Sequence, residues 1–213
     1  MGAGTVRLTT LCAVGIIVMA TEATAGIWVD RYGFRPMVVL PVLRIIQVSL
    51  ILGAVWGLRR GLAEVGLDRR VLGQGAKAGL VWSVLFGGIV AIAGTVLLAM
   101  GKDVRALFTV RLPEGKWAVP LYYVTGSLAG PLWEELVFRG VLYGFFRRYG
   151  VAAGIVISTA VFAALHLRGP ALPVTQIVGG VVFCLAYEKE KGLAAPFVIH
   201  ALGNTAIFTL ALI

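Results

Sequence analysis

Long apolar segments, separated by short charged connections, constrain this chain more than any other feature. A hydrocarbon layer ~30 Å thick is crossed by ~20 apolar residues in helical form. Lipid offers no hydrogen bonds, so a spanning segment must satisfy its own backbone, as a helix does. The sequence therefore predicts an all-α, polytopic transmembrane helical bundle of about seven (6–8) spans. The predicted spans are 8–28, 37–58, 78–100, 118–148, 151–167, 172–187 and 193–212.

Composition leads to the same class. Hydrophobic residues make up 59% of the 213 residues and charged residues 14%, against ~45–50% and ~25% in soluble domains. We expect an integral, multi-pass membrane protein, in the cell membrane if its source is prokaryotic. The spans 151–167 and 172–187 are short, so they are tilted or extend beyond these limits.

The net charge of +9 lies mainly in the connections between apolar segments, most densely in "RRGLAEVGLDRR" at 59–70. This distribution is typical of topology signals and headgroup contacts, so the lipid bilayer is an expected partner and nucleic acid is not. A slight excess of basic residues on the side of the N-terminus favours a cytoplasmic N-terminus. Residues 59–77 could form an interfacial helix.

Two local signals modify the predicted spans. Arg7, an apolar run and "ATA" at 23–25 resemble a secretory signal cleaved after Ala25. An uncleaved first helix is the favoured interpretation, since the remaining chain is itself polytopic. The span 118–148 contains Gly130 and Pro131, which predict a kink or break there.

Ionisable side chains inside apolar spans are candidates for a functional site, because burying a charge in a membrane is costly. Glu22 and Arg44 are expected to pair with each other or to snorkel, and no chemistry is assigned to them. The remaining candidates all lie in the second half: Glu134, Glu135, Arg139, His166 and His200.

Three apolar segments each carry two residues four apart, and such residues share one helix face. Helical bundles build sites from inward side chains of this kind. Each pair also has a structural alternative: a buried ion pair, a capping histidine, or an interhelical asparagine contact. Both histidines of the chain fall in the half with its only adjacent glutamates, which favours a site. The pairs are Glu135 with Arg139, Phe162 with His166, and His200 with Asn204.

These three segments together resemble a known family. "EELVFR" (134–139), "FAALH" (162–166) and "HALGN" (200–204) fit E-E-x-x-x-R, F-x-x-x-H and H-x-x-x-N in order. Their sequence resembles the CPBP family of CAAX-processing and bacteriocin-processing intramembrane proteases, also called the type II CAAX prenyl endopeptidase or Abi family. The resemblance covers about 118–210. It implies a catalytic helical core at 118–213. The apolar spans predict N-terminal transmembrane helices with basic connecting loops at 1–117.

By this resemblance the chain is a glutamic-type intramembrane endopeptidase without a cofactor. Glu134 is the general base and works with His166 on a water molecule. His200 and Asn204 steady the oxyanion. The supporting residues are Glu135, Arg139 and Phe162.

The residues themselves also distinguish the two glutamates. Arg139 lies one turn from Glu135 and should keep it ionised as a fixed structural anion. Glu134 projects about 100° away around the helix and loses most of that help. Glu134 is therefore the better candidate base, although the spacing leaves the reverse order open.

The predicted spans place two of these residues at different depths. Glu134 lies 14 residues before Arg148, and His200 lies seven residues after the start of the last span. At ~1.5 Å per residue the two differ by roughly 10 Å in straight helices. A kink, a tilt or a shifted boundary has to absorb that difference.

Other functions remain open at this stage. Two His and two Glu could bind Zn²⁺ in a zinc-dependent version of the same protease, although no H-E-x-x-H pair is present. A proton-coupled transporter is disfavoured because no inverted repeat is visible. A non-catalytic immunity or scaffold protein is the third alternative. The expected substrate is a membrane-associated protein or peptide, either prenylated (CAAX-box protein processing) or related to bacteriocins.

Overall fold

The structure is a computed structural model that describes residues 5–58, 61–104, 117–167, 169 and 171–212. All regular structure among these residues is helical, which confirms the all-α prediction. A short 3₁₀ turn at Leu62–Val65 precedes the third long helix. The helices are α1 (Leu8–Tyr32), α2 (Pro36–Gly57), α3 (Arg69–Ala99), α4 (118–149), α5 (Val151–Ala164), α6 (Val174–Glu190) and α7 (Ala194–Leu210).

Helix α4 is continuous but changes its winding along its length. The predicted break near Gly130 does not occur, because this residue keeps helical angles (φ −61°, ψ −59°). A widened π turn takes the place of the break and accommodates Pro131, which has no N–H to donate. The stretches of α4 are Ala118–Tyr123, π-helical Val124–Ala129, Gly130–Glu134, π-helical Glu135–Tyr143, Gly144–Phe146 and the 3₁₀ turn Arg147–Tyr149.

The interfacial helix considered for 59–77 is replaced by an earlier start of α3. Asp68 caps this helix by accepting a hydrogen bond of 3.0 Å from the Arg70 N–H, and aspartate is a strong N-cap residue. Residues 69–77 therefore form the first turns of α3. Arg59 and Arg60 lie outside the described residues.

The outside of the bundle is apolar. Among the described residues, the helices Leu8–Tyr32, Pro36–Gly57 and Leu62–Ala99 are each long and apolar enough to cross a membrane, and α5 and α7 are shorter apolar helices. Large aliphatic side chains point outward, such as Ile16 and Val84 at 70% and 74% exposure. Such a surface suits lipid rather than water.

Helix α7 packs against α3, α6 and the first π-helical stretch of α4, and its first half is the more buried. Its contact with α3 is close because two glycines face it, Gly75 and Gly79. A Cβ added at Gly79 would lie 2.8 Å from the Cβ of Val198. Small residues allow membrane helices to approach in this way, and here they bring α7 against α3.

Hydrogen bonds fix α5 and α6 against α4. The Ser158 hydroxyl of α5 donates to the carbonyl of Phe138 at 2.8 Å. Glu188 of α6 accepts from the Tyr143 hydroxyl at 2.7 Å and pairs with Arg147 at 2.6 Å. These bonds hold α5, which carries the second sequence motif, and α6 in fixed rotation relative to α4.

Candidate active site

An ion pair on α4 forms the base of the candidate site. Arg139 Nη1 donates to Glu135 Oε1 at 2.9 Å, and both residues are fully buried. The Arg139 guanidinium lies 4.6 Å from the ring centre of Phe162 and 4.9 Å from that of Phe183. Aromatic faces attract a cation, most strongly where water is excluded. The charge is thus held by one carboxylate and two rings.

The His200 ring of α7 lies between the two glutamates. Its Nδ1–H donates to Glu135 Oε1 at 2.7 Å, while its Nε2 faces Glu134 Oε2 at 3.6 Å. The ring also stacks on Phe183, with 4.7 Å between centroids. These contacts fix both the position and the rotation of the imidazole.

The hydrogen bond to Glu135 restricts what His200 can do. A carboxylate only accepts, so Nδ1 carries a proton. In the neutral ring Nε2 is then an acceptor, and only the doubly protonated ring donates from both nitrogens. The predicted role of His200 at an oxyanion therefore requires the charged form.

Glu134 differs from its neighbour in exposure. Its side chain is 20% exposed, whereas that of Glu135 is 1% exposed. Its distance of 3.6 Å from His200 is too long for a direct hydrogen bond. Glu134 is thus the accessible carboxylate of the pair, and its nearest basic nitrogen belongs to His200.

His166 is held by its own helix, and its joint action with Glu134 on a water molecule stays a prediction. Its Nδ1–H donates to the Phe162 carbonyl one turn back, at 2.8 Å. No hydrogen bond or ion pair joins His166 to Glu134, although the structure describes both residues. The Phe162 ring lies 4.5 Å from the His166 ring and 6.2 Å from the His200 ring. Phe162 therefore supports both histidines, and the Nε2 of His166 is left available.

Asn204 reaches from α7 to the backbone of α4. Its Nδ2 donates to the carbonyl of Gly126 at 2.7 Å. One of its two N–H groups is thereby occupied, and the second remains for another acceptor.

The predicted difference in depth between Glu134 and His200 is absent, since the two side chains face each other at 3.6 Å. The π-helical stretches account for part of the change, because their wider turns advance α4 less per residue. A tight turn at Lys191 (φ 58°) also lets α7 begin at Ala194, close to the end of α6.

Glu22 and Arg44, which the sequence predicted either to pair or to snorkel, form an ion pair. Arg44 pairs with Glu22 and donates to Gln47 at 2.6 Å. Its guanidinium lies 3.9 Å from the ring centre of Trp133, the residue before Glu134. The cluster joins α1 and α2 to the helix of the candidate site.

Sequence reasoning missed Phe183 and Trp133. An aromatic residue in an apolar helix carries no spacing signal that separates a site from ordinary core. Trp133 directly precedes Glu134 in the sequence, and this adjacency is the one sequence feature that indicates its place near the candidate site.

The structure bears on metal binding only through side-chain placement. Within the described part of the chain, no group of three or more His, Cys, Asp and Glu side chains is placed to hold a metal ion. The zinc-dependent alternative therefore remains a matter for a chelator experiment.

The match to a family model falls in the half of the chain that holds the candidate site. Residues 116–206 match the family model described as "Type II CAAX prenyl endopeptidase Rce1-like". The "Membrane-embedded CAAX protease MroQ" of Staphylococcus aureus is 37% identical over 93 residues, which are 40% of this chain and 37% of that protein. The "Putative membrane peptidase YdiL" of Bacillus subtilis is 27% identical over 96 residues, which are 45% of this chain and 39% of that protein.

A third relative is the "UPF0177 protein YaiH" of Lactococcus lactis, 25% identical over 88 residues, with 41% of this chain and 36% of that protein covered. The chain thus spans less than half the length of the curated relatives it matches. No solved structure gives a significant match. The membrane-embedded relatives and the apolar helices together identify an integral membrane protein.

Proposed function

Because residues 116–206 belong to the CPBP family of intramembrane CAAX proteases, we propose that this chain is a membrane-embedded endopeptidase of the glutamic type. Its substrate is a membrane-associated protein or peptide of the CAAX or a related class. The observation that carries the proposal is the His200 ring, fixed by Glu135 at one nitrogen and facing the accessible Glu134 with the other.

Glu134 acts as the general base in this proposal. A water molecule bound at Glu134 Oε2 loses a proton to the carboxylate, and its oxygen attacks the carbonyl carbon of the scissile bond. The proton passes through the Nε2 of His166 to the departing nitrogen, the C–N bond breaks as the oxyanion collapses to a carbonyl, and a carboxylic acid and an amine leave. A carboxylate in hydrogen-bond reach of a bound water has the geometry that this step requires.

Two groups of α7 stabilise the oxyanion. Asn204 offers the N–H that Gly126 does not use. His200 donates from Nε2 when its ring is doubly protonated. Donors aimed at a developing oxyanion typically contribute 10²–10³-fold each to the rate, as order-of-magnitude values. The Arg139–Glu135 ion pair holds the His200 ring in place and takes no part in proton transfer.

The test is Glu134→Gln in the purified protein, reconstituted in lipid. We expect peptide cleavage to fall by ~10²–10⁴-fold, the usual contribution of a general base, while thermal unfolding stays unchanged. Glu190→Gln is the matched control, because Glu190 is also partly buried but bonds to Trp82 at the far end of α6. Substrates are sought by comparing membrane-proteome termini between cells with the parent and cells with Glu134→Gln. Equal cleavage by Glu134→Gln and the parent would rule out the assignment.

The zinc-dependent alternative has its own test. In a glutamic mechanism, metal chelators leave the cleavage rate unchanged. Loss of activity that only Zn²⁺ restores would replace this mechanism by a metal-dependent one.

A further inference from the structure

Pro131 removes one backbone donor from α4 just where the helix widens. The Gly130 N–H donates to the carbonyl of Thr125, five residues back. In a π turn each N–H donates to the carbonyl five residues back. At the next position, the carbonyl of Gly126 would therefore accept from the N–H of residue 131. Proline has no N–H, so its position leaves the Gly126 carbonyl without a backbone donor in this register.

Asn204 supplies the missing donor from another helix. Its Nδ2 lies 2.7 Å from the Gly126 oxygen. The approach of α7 is close at this point, since a Cβ added at Gly126 would lie 2.6 Å from the Phe208 ring, one turn beyond Asn204. Glycine at 126 and proline at 131 thus create an open carbonyl next to α7.

We propose that Pro131 is a positioning residue for Asn204. It keeps the Gly126 carbonyl free of backbone donors, and that carbonyl orients the Asn204 amide through one of its N–H groups. The second N–H is then fixed in direction, as an oxyanion donor requires. The link between Pro131 and Asn204 follows from backbone chemistry alone, whereas its catalytic consequence rests on the proposed function.

The link is tested by thermal unfolding of four proteins: the parent, Pro131→Ala, Asn204→Ala and the double variant. Asn204→Ala leaves the partly buried carbonyl of Gly126 without a donor, so we expect its midpoint to fall by ~2–10 °C. Pro131→Ala restores a backbone N–H that can serve Gly126. We therefore expect Pro131→Ala to raise the midpoint of Asn204→Ala by several degrees more than it raises that of the parent.

Ser158→Ala is the matched control for this cycle. It also removes a side-chain bond to an α4 carbonyl, that of Phe138, but no proline lies one wide turn beyond it. Pro131→Ala should have the same effect in the parent and in Ser158→Ala. If Asn204→Ala does not fold alone, recovery of folded protein in the double variant supports the link. If Pro131→Ala shifts the unfolding midpoint equally in the parent and in Asn204→Ala, the link is overturned. If neither Asn204→Ala nor the double variant folds, Asn204→Ser replaces Asn204→Ala in the same cycle.

The catalytic consequence has a separate readout. In the parent protein, Pro131→Ala should lower kcat by ~10–100-fold with KM nearly unchanged. The reason is that a misdirected Asn204 amide weakens the binding of the transition state and not that of the substrate. In Asn204→Ala the same substitution should leave kcat unchanged. The effects of Pro131→Ala and Asn204→Ala could be coupled in the unfolding midpoint but independent in kcat. That result would uphold the link between the two residues and remove its catalytic consequence. Additive stabilities overturn the proposal even if Glu134→Gln is inactive.

Discussion

Glu135 is one member of a chain of contacts that runs from Arg139 through its carboxylate to His200. Its Oε2 and the Arg139 Nε and Nη2 are buried without a hydrogen-bond partner among the described residues. Such groups are costly in an apolar interior, and here two aromatic rings supply the missing attraction to the cation. Glu134 stands outside this chain, with a partly exposed carboxylate.

Removing the cation should therefore damage the fold more than removing the base. Arg139→Met leaves the buried Glu135 without its cation, with the hydrogen bond from His200 as its remaining side-chain contact. Loss of one partner costs ~3–5 kcal/mol in comparable buried pairs. Thermal or chemical unfolding in detergent measures this loss of stability. Glu134→Gln is the control, and we expect a change below ~1 kcal/mol for this partly exposed group without a direct hydrogen bond. Similar losses in both variants would contradict the division of roles.

The sequence could predict contacts within a helix but not those between helices. Four-residue spacing was enough for Glu135 and Arg139, since both lie on one helix. The partner of His200 lies 65 residues away, and a periodicity holds no information about which helices pack together. Spacing within one helix therefore did not indicate that the His200 ring lies between Glu134 and Glu135. The joint action of Glu134 and His166 on a water molecule stays a prediction.

At the scale of elements, seven apolar segments predicted the helices to within a few residues, apart from the earlier start of α3. Hydrophobic length was sufficient for that purpose. The winding of α4 could not be obtained in this way, because α and π turns bury similar faces. Proline predicted a disturbance near residue 131, and the helix absorbed it by widening rather than breaking.

The fit between α3 and α7 gives a prediction at this scale. Gly79→Val would place side-chain atoms against Val198 and the Ala195 carbonyl, which lie within 3 Å of the added Cβ. Overpacking of this kind costs ~1–3 kcal/mol, and a displaced α7 carries His200 away from the glutamates. We expect losses of both thermal stability and cleavage rate.

Gly87→Val is the matched control for this substitution. It introduces the same β-branched side chain into the same helix, where a Cβ meets nothing within 4 Å. Stability and cleavage should change little. Equal effects at both glycines would show that helix propensity, rather than the contact with α7, decides the outcome.

At the scale of the whole molecule, the first two helices join the candidate site through one cation. Arg44 pairs with Glu22 across α1 and α2, and its guanidinium stacks on Trp133 of α4. The family match begins only at residue 116. The polar cluster thus connects a region outside the match to the residue that precedes Glu134.

This connection predicts a compensating pair of substitutions. Arg44→Met leaves Glu22 unpaired in an apolar setting and should cost ~1–2 kcal/mol, less than a fully buried pair because Glu22 is partly exposed. Glu22→Gln combined with Arg44→Met should recover much of that loss. Unfolding midpoints of the two single variants and the double variant measure the coupling. Additive losses would show that the two charges act independently.

The position of Glu134 outside the Arg139–Glu135–His200 contacts has a practical consequence. If Glu134 is the base of a protease, as proposed, its removal leaves the architecture and the recognition of a substrate intact. Glu134→Gln can therefore serve as a trap in living membranes, where crosslinking and mass spectrometry identify the captured proteins. One substitution in the glutamate pair would thereby identify the proteins that bind at the site.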